Sequence, residues 1–218
     1  MIALSTAYKQ ALIAVKIDGK SAFKSLDANC KHSENVLYSI DELLDSLNVS
    51  VQDNDALSVV VGPGSFTGIR IGVALVKGLN KGNPCKLIKL TTFDLLAYSY
   101  IKRYHPKDVF YCVIDALSGY YYICKFAKDG ELLSGAQVVD SESYQAIREI
   151  KVGLKEENLG DIQLEPSPEE LLELSEKYYS EGKFVSDSEL IPLYLRKSQA
   201  EVSLENKVKK IFKKLQKS

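Results

Sequence analysis

One stretch of sequence decides the fold of this chain: Val59-Val60-Val61-Gly62-Pro63-Gly64-Ser65-Phe66-Thr67-Gly68-Ile69-Arg70-Ile71-Gly72-Val73-Ala74. The β-branched run over 57–61 predicts a short buried strand. The Gly-Pro-Gly sequence that follows ends this strand, because glycine adopts backbone angles that are closed to other residues. A helix over about 65–81 comes next, and either Ser65 or Thr67 can cap its first N–H groups.

Glycines recur every four residues in this stretch and leave one face of the helix without side chains: Gly64, Gly68 and Gly72. Glycine inside a helix costs about 1 kcal/mol relative to alanine, so a close contact must compensate for it. Three contacts fit: packing of the helix on its own sheet, a helix–helix interface with another subunit, or an anion at the helix N-terminus. The stretch is not a P-loop, because Ile69 and Arg70 follow Gly68 where that motif requires lysine and serine or threonine.

The composition is that of a globular protein with one large domain or two small lobes: 218 residues, 45% hydrophobic and 26% charged. The net charge of −1 argues against a surface devoted to nucleic acid. The chain has neither a signal-peptide pattern nor an apolar run long enough to span a bilayer, so we expect it to be cytoplasmic. The chain has four cysteines, none of them in a CxxC pair, and this predicts free thiols: Cys30, Cys85, Cys112 and Cys124. With only two histidines in the sequence, we expect no metal site.

The predicted elements repeat along the chain. The first half reads βββαβαβα, with elements at 2–5, 10–17, 20–26, 36–47, 57–61, 65–81, 86–90 and 93–103. Three strands then recur at 109–116, 119–127 and 131–139, and Asp129-Gly130 repeats the hairpin turn signal of Asp18-Gly19. Such a duplication predicts an α/β fold of two ribonuclease-H-like lobes, the actin-like or ASKHA architecture, in which each lobe begins βββαβα.

The predicted organisation has three parts. The first lobe covers 1–104 and the second lobe covers 105–200. A further helix inside the second part is predicted to start at Ser167, which can form a capping box with Glu170. The lysine-rich segment 201–218 carries an apolar stripe, which predicts a basic amphipathic helix packed on the first lobe.

In actin-like proteins the turn between the first two strands of each lobe binds nucleotide phosphates, normally through glycines, and an acidic residue helps to hold the metal. Here the first turn, at 5–10, has neither glycine nor carboxylate, although Lys9 could pair with a phosphate. The second turn keeps Asp115 and Gly119. Lys9, Asp115 and Gly119 are therefore the candidate phosphate-binding residues of a weakened nucleotide site, and this points away from catalysis and towards a partner role.

Three segments carry a family resemblance that spans about residues 1–200. The motif over 62–72 is very similar to the signature of the bacterial TsaB family, also called YeaZ. The segment 32–37 resembles that family's sequence before its first helix, and Pro192-Leu193-Tyr194-Leu195-Arg196 resembles its signature near the C-terminus. Two residues depart from the family pattern, since Ser5 replaces the usual aspartate and Leu117 stands where arginine is frequent. Both changes weaken a nucleotide site in this subunit.

The resemblance implies a non-catalytic paralogue of TsaD, the enzyme that transfers a threonylcarbamoyl group to the adenosine next to the anticodon of tRNAs reading ANN codons. Thr91-Thr92-Phe93 stands where a catalytic relative carries histidine. The implied partners are a TsaD-type protein in a heterodimer, a TsaE-type ATPase, tRNA indirectly through the complex, and a second copy when the chain is alone. No membrane and no tightly bound cofactor are implied, although ATP or ADP could bind at the shared interface of the complex.

The resemblance also implies that the first-lobe helices, over about 34–48 and 65–81, form the partner interface. Its expected residues are Val36, Leu37, Ile40, Gly64, Phe66, Thr67, Gly68, Arg70, Ile71 and Gly72. Arg70 lies in the first helical turn, where the helix dipole disfavours a cation, so we expect it to have a partner. That partner is a carboxylate of the same chain, a group across the interface or a nucleotide phosphate.

Two other functions stay open on the sequence. One is an enzyme in its own right, either ATP-binding or glycoprotease-like, for which Asp115 is the residue to test. The other is an RNA-binding module that depends on the lysine-rich tail.

Overall fold

The computed structural model describes residues 1–27 and 32–196, and of residues 32–34 only the backbone. The predicted tail helix at 201–218 and Cys30 lie outside the described residues. The strands are β1 (Ile2–Ser5), β2 (Ala11–Ile17), β3 (Lys20–Leu26), β4 (Ala56–Val60), β5 (Lys86–Leu90), β6 (Phe110–Asp115), β7 (Tyr120–Phe126), β8 (Leu132–Asp140), β9 (Ile150–Leu154) and β10 (Ile162–Leu164). The α-helices are α1 (His32–Leu47), α2 (Phe66–Gly82), α3 (Thr92–Tyr104), α4 (Ser141–Ala146) and α5 (Pro168–Ser180), and 3-10 turns lie at Val51–Asp53 and Lys155–Glu157.

The strands form two five-stranded sheets of the same topology, in the orders β3-β2-β1-β4-β5 and β8-β7-β6-β9-β10. In each sheet the first three strands are antiparallel and the last two continue in parallel. Every residue of β1 and β4 is buried, as expected for strands covered on both faces. The predicted duplicated two-lobe α/β fold is confirmed.

Helices α3 and α5 each pack on the sheet formed by the other half of the chain. Helix α5 packs on β1, β2, β3 and β5 of the first sheet, whereas α3 packs on β6, β9 and β10 of the second. After α5 the chain stays on the first lobe, where Val185 pairs with Leu87 and the Leu193 N–H donates to the Val61 carbonyl at 2.8 Å. The assignment of all of 105–200 to the second lobe is therefore wrong for this part, because the apolar side of α5 is buried against the first sheet.

A buried carboxylate joins α3 to α5. Ser167 caps α5 and forms the predicted capping box with Glu170. Arg103 donates to both oxygens of Glu170, from Nε at 2.7 Å and Nη2 at 2.6 Å, and the Ser99 hydroxyl donates at 2.8 Å. Burial opposes ionisation of Glu170, but the hydrogen bonds from Arg103, Ser167 and Ser99 outweigh it and lower its pKa. This ion pair fixes how the two crossing helices meet.

Candidate functional site

The glycine face of α2 packs on the turn between β1 and β2 of its own lobe. A Cβ added at Gly68 or Gly72 would lie inside 3.0 Å of Thr6, and one added at Gly64 would lie equally close to the Ala7 carbonyl oxygen. The Thr6 hydroxyl also donates to the Gly68 carbonyl at 2.7 Å. The first of the three predicted contacts, packing on the chain's own sheet, is therefore the one that forms. The expectation that Gly68 and Gly72 meet another subunit is wrong, because both are buried against Thr6, whereas Gly64 is exposed and its part in a partner contact stays a prediction.

The N-terminus of α2 is fixed by short polar contacts. Ser65 caps the helix as predicted, since its hydroxyl accepts from the Gly68 N–H at 3.2 Å, and its own N–H donates to the Ala7 carbonyl at 2.7 Å. Thr92 supports the preceding turn by donating from its hydroxyl to the Pro63 carbonyl at 2.6 Å. Thr92 thus has a structural role in holding this turn.

Two of the residues predicted at the interface lie in the core. Val36 and Ile40 are buried, because the apolar stripe of α1 faces the sheet. Neither can contact a partner, which corrects the prediction for both. Leu37, at the edge of the buried stripe of α1, is 50% exposed, and Tyr38, which lies on the far side of the helix and which the prediction missed, is 63% exposed. The sequence could have revealed Tyr38, because it is an aromatic residue of α1 that does not belong to the apolar stripe.

The remaining predicted interface residues lie on the outer side of α2. Phe66, Thr67 and Arg70 are exposed, and Ile71 is half-buried. Because α1 and α2 contact each other, we infer that their outward side chains belong to one surface, which we call the docking face. Its members are Leu37 and Tyr38 of α1 and Phe66, Thr67, Arg70 and Ile71 of α2.

Arg70 is held between two aromatic side chains. Its guanidinium carbon lies 3.9 Å from the Phe66 ring centroid and 5.6 Å from that of Tyr194. Its Nε donates to the Tyr194 hydroxyl at 2.7 Å, and the two rings stack with centroids 4.8 Å apart. Among the described residues no carboxylate forms an ion pair with Arg70. We call this cluster the aromatic bracket. It holds Arg70 where the sequence left a carboxylate of the same chain as one of three possible partners.

The candidate phosphate-binding turns are bridged by two consecutive glutamates from the 3-10 turn after β9. Both carboxylate oxygens of Glu156 accept from the Lys9 N–H at 3.1 Å. Glu157 accepts from the Asp115 N–H at 3.0 Å. Backbone N–H groups on both sides of the cleft between the lobes are therefore already bound to carboxylates. Sequence reasoning missed these glutamates, because two adjacent acidic residues after a strand have no specific local signature.

The cleft is acidic, with Asp115, Glu156 and Glu157 close together. Burial, together with the nearby charges of Asp115 and Glu156, raises the pKa of Glu157 to about 7. Tyr8 is buried beside this cluster, and the hydroxyls of Tyr8 and Ser5 have no hydrogen-bond partner among the described residues. Carboxylates at this position oppose a phosphate by like-charge repulsion.

The second candidate turn is held in a left-handed conformation. Residues 117–119 have φ values of 62°, 58° and 76°, and the Asp115 carboxylate accepts from the Leu117 N–H at 2.8 Å. Gly119 accepts a hydrogen bond from the Ser141 hydroxyl through its carbonyl, at 3.0 Å. Arg196 donates to the Ala116 and Leu117 carbonyls, at 2.9 Å and 3.1 Å.

The segment 192–196 therefore contacts both lobes. Through Leu193 and Tyr194 it binds the region around α2, and through Arg196 it binds the turn after β6. Its resemblance to a family signature thus corresponds to a structural tie between the docking face and the cleft.

Three absences apply to residues 1–27 and 32–196. No three or more His, Cys, Asp or Glu side chains come together as metal ligands. No helix there is both long and apolar enough to cross a membrane. Cys85, Cys112 and Cys124 are free, and the last two are buried.

Comparisons with known proteins agree with one another. A family model described as "TsaD: tRNA N6-adenosine threonylcarbamoyltransferase" matches residues 26–159, more than half of the chain. The Haemophilus influenzae protein named "tRNA threonylcarbamoyladenosine biosynthesis protein TsaB" is 26% identical over 221 residues, covering 90% of this chain and 93% of the relative. The Escherichia coli protein of the same name is 27% identical over 226 residues, covering 92% and 96%. The solved structure "YeaZ from Pseudomonas aeruginosa" superposes with a TM-score of 0.76 at 22% identity, covering 89% of this chain and 98% of that one, and so shares the fold.

Proposed function

This chain belongs to the TsaB branch of the TsaD family of tRNA N6-adenosine threonylcarbamoyltransferases, and from that premise we propose that it is a non-catalytic subunit in the synthesis of threonylcarbamoyladenosine in tRNA. Its main partner is a TsaD-type protein, which carries the catalytic site. The chain binds this enzyme through the docking face and stabilises its active arrangement. A TsaE-type ATPase acts on the resulting complex, and tRNA is bound by the complex as a whole.

One contrast carries this proposal: the backbone N–H groups of the two candidate phosphate turns are already bound to carboxylates, while the docking face is exposed. Glu156 and Glu157 bind the N–H groups that a phosphate would need, and buried Tyr8 takes up space beside them. Leu37 and Tyr38 of α1, by contrast, are 50% and 63% exposed. Burying the exposed part of each such side chain contributes about 1–2 kcal/mol, so a few of them are enough to anchor a partner.

The same face explains the other expected assemblies. When the chain is alone, a second copy can cover its apolar residues and form a homodimer, which the TsaD-type protein then displaces. ATP or ADP binds at the shared interface of the complex, where the partner supplies the phosphate-binding groups, and this chain holds no cofactor tightly by itself.

Reconstitution tests the proposal. The TsaD-type and TsaE-type proteins of the same source are mixed with tRNA and threonylcarbamoyl-adenylate, with and without this chain, and modified adenosine is measured. We expect modification only when the chain is present, and we expect Tyr38→Asp to abolish it. Leu132→Asp is the matched control, because Leu132 is 55% exposed on β8 of the other lobe.

Two results contradict the proposal. The first is full modification in the absence of this chain. The second is ATP hydrolysis or peptide cleavage by the isolated chain that disappears in Asp115→Asn, which would favour an enzyme in its own right.

A further inference from the structure

Arg70 has the geometry of a binding group whose partner lies outside the chain. Its Nε is used by Tyr194, while Nη1 and Nη2 have no hydrogen-bond acceptor among the described residues. The side chain is exposed and belongs to the fifth residue of α2, just after the first turn. The helix dipole disfavours cations towards this end of a helix, and no negative charge among the described residues pairs with Arg70 to compensate for it.

The aromatic bracket fixes the direction of the guanidinium. The Phe66 ring covers one face of it, and the Tyr194 hydroxyl holds Nε, so the two outer nitrogens are presented as a rigid fork. A planar fork of this kind suits bidentate hydrogen bonds to a carboxylate or a phosphate. Because the side chain is already ordered, it loses less rotamer entropy when the partner binds.

We propose that Arg70 is a pre-organised anchor for a carboxylate of the protein that docks on α1 and α2, with Phe66 and Tyr194 as its positioning residues. This inference rests on the proposed function and adds one specific contact to it. The TsaD-type partner then presents an aspartate or glutamate opposite the aromatic bracket, inside the rim of apolar contacts made by the docking face.

The surroundings of Arg70 favour a protein carboxylate over a nucleic-acid phosphate. Apart from Thr67, the neighbouring side chains on the docking face are apolar or aromatic, as in protein interfaces. Lys77, further along α2, is paired with Asp187 at 3.5 Å and so adds little positive charge.

The test measures affinity of the full chain for the TsaD-type protein by calorimetric titration. Arg70→Gln should weaken binding by about 10- to 100-fold, the range expected when a charged hydrogen bond is lost. Arg70→Lys should recover only a minor part of this loss, because lysine keeps the charge but not the fork. Lys81→Gln is the matched control, since it removes one exposed positive charge from the same helix, and should change the affinity less than about twofold.

Tyr194→Phe separates positioning from simple packing. It keeps the stacked ring but removes the hydroxyl that holds Arg70 Nε, so binding should weaken by about 3- to 10-fold while thermal stability is unchanged. Arg70→Glu should lose binding to the TsaD-type protein, and changing one acidic residue on the partner's contact surface to lysine should restore that binding.

The outcomes distinguish this inference from the proposed function. If the wild-type chain does not bind the TsaD-type protein, the proposed function fails. If the wild type binds and Arg70→Gln, Arg70→Lys and Tyr194→Phe bind equally well, the inference alone is overturned. A loss that appears only as weaker binding of tRNA would assign Arg70 to a phosphate and would also overturn it.

Discussion

Gly68→Ala probes the contact between α2 and the turn that joins β1 to β2. The new methyl group would lie inside 3.0 Å of the Thr6 carbonyl oxygen, which is a backbone atom and cannot rotate away. It would also come within 3.2 Å of the Ser65 hydroxyl that caps the helix. The helix therefore has to move away from the turn between β1 and β2.

The cost follows from three contributions. Moving the helix weakens the buried hydrogen bond from Thr6 to the Gly68 carbonyl, which contributes about 1 kcal/mol. Strain from the inserted methyl group costs about 1–3 kcal/mol. Alanine returns about 1 kcal/mol through its higher helix propensity. The net loss in the free energy of unfolding is about 1–3 kcal/mol.

Gly78→Ala is the matched control on the same helix. No atom lies within 4 Å of the position that its Cβ would take. Only the helix propensity applies there, so we expect a gain of about 0.5–1 kcal/mol. Urea unfolding followed by circular dichroism should show the midpoint of Gly68→Ala below the wild type and that of Gly78→Ala above it, with equal slopes. If Gly68→Ala were as stable as the wild type, the glycine face would not be packed as described, and a subunit contact would again be needed to explain it.

Two further predictions concern buried carboxylates. Because the pKa of Glu157 is raised to about 7, the folded protein keeps a proton that the unfolded chain loses near the ordinary value of 4.5. The stabilisation from this proton is complete below pH 4.5 and is lost as the pH rises through 7. Glu157→Gln should therefore flatten the fall in melting temperature between pH 5 and 8. An unchanged profile would contradict the raised pKa of Glu157 and the burial and acidic neighbours that cause it. Arg103→Met should lower the free energy of unfolding in urea by about 1–3 kcal/mol, because it leaves the Glu170 carboxylate buried without its cation. Adding Glu170→Leu should recover part of this loss. No recovery in the double variant would show that Arg103 acts through packing instead.

Local signals in the sequence were sufficient for the elements and their order. The caps at Ser65 and Ser167 depend on residues within three positions of each other, so a single sequence reveals them. The two-lobe topology was readable because the strand pattern occurs twice. The crossing of α5 onto the first sheet was not readable, because it depends on contacts between residues far apart in the chain.

The docking face was predicted only in part, for a physical reason. A helical stripe shows which residues share a face but not whether that face meets the protein's own sheet or a partner. Val36 and Gly68 were therefore grouped with Leu37 and Phe66, although the first two pack inside the lobe. The aromatic bracket could not be foreseen, because Tyr194 is more than a hundred residues away from Arg70 in the chain.

Light scattering of the chain mixed with the TsaD-type protein tests the central claim most directly. The wild type and Leu132→Asp should form a heterodimer, whereas Leu37→Asp and Tyr38→Asp should remain separate from the enzyme while keeping wild-type thermal stability. A heterodimer that forms equally well with the two α1 variants would contradict the claim that this chain acts through the exposed face of its first-lobe helices.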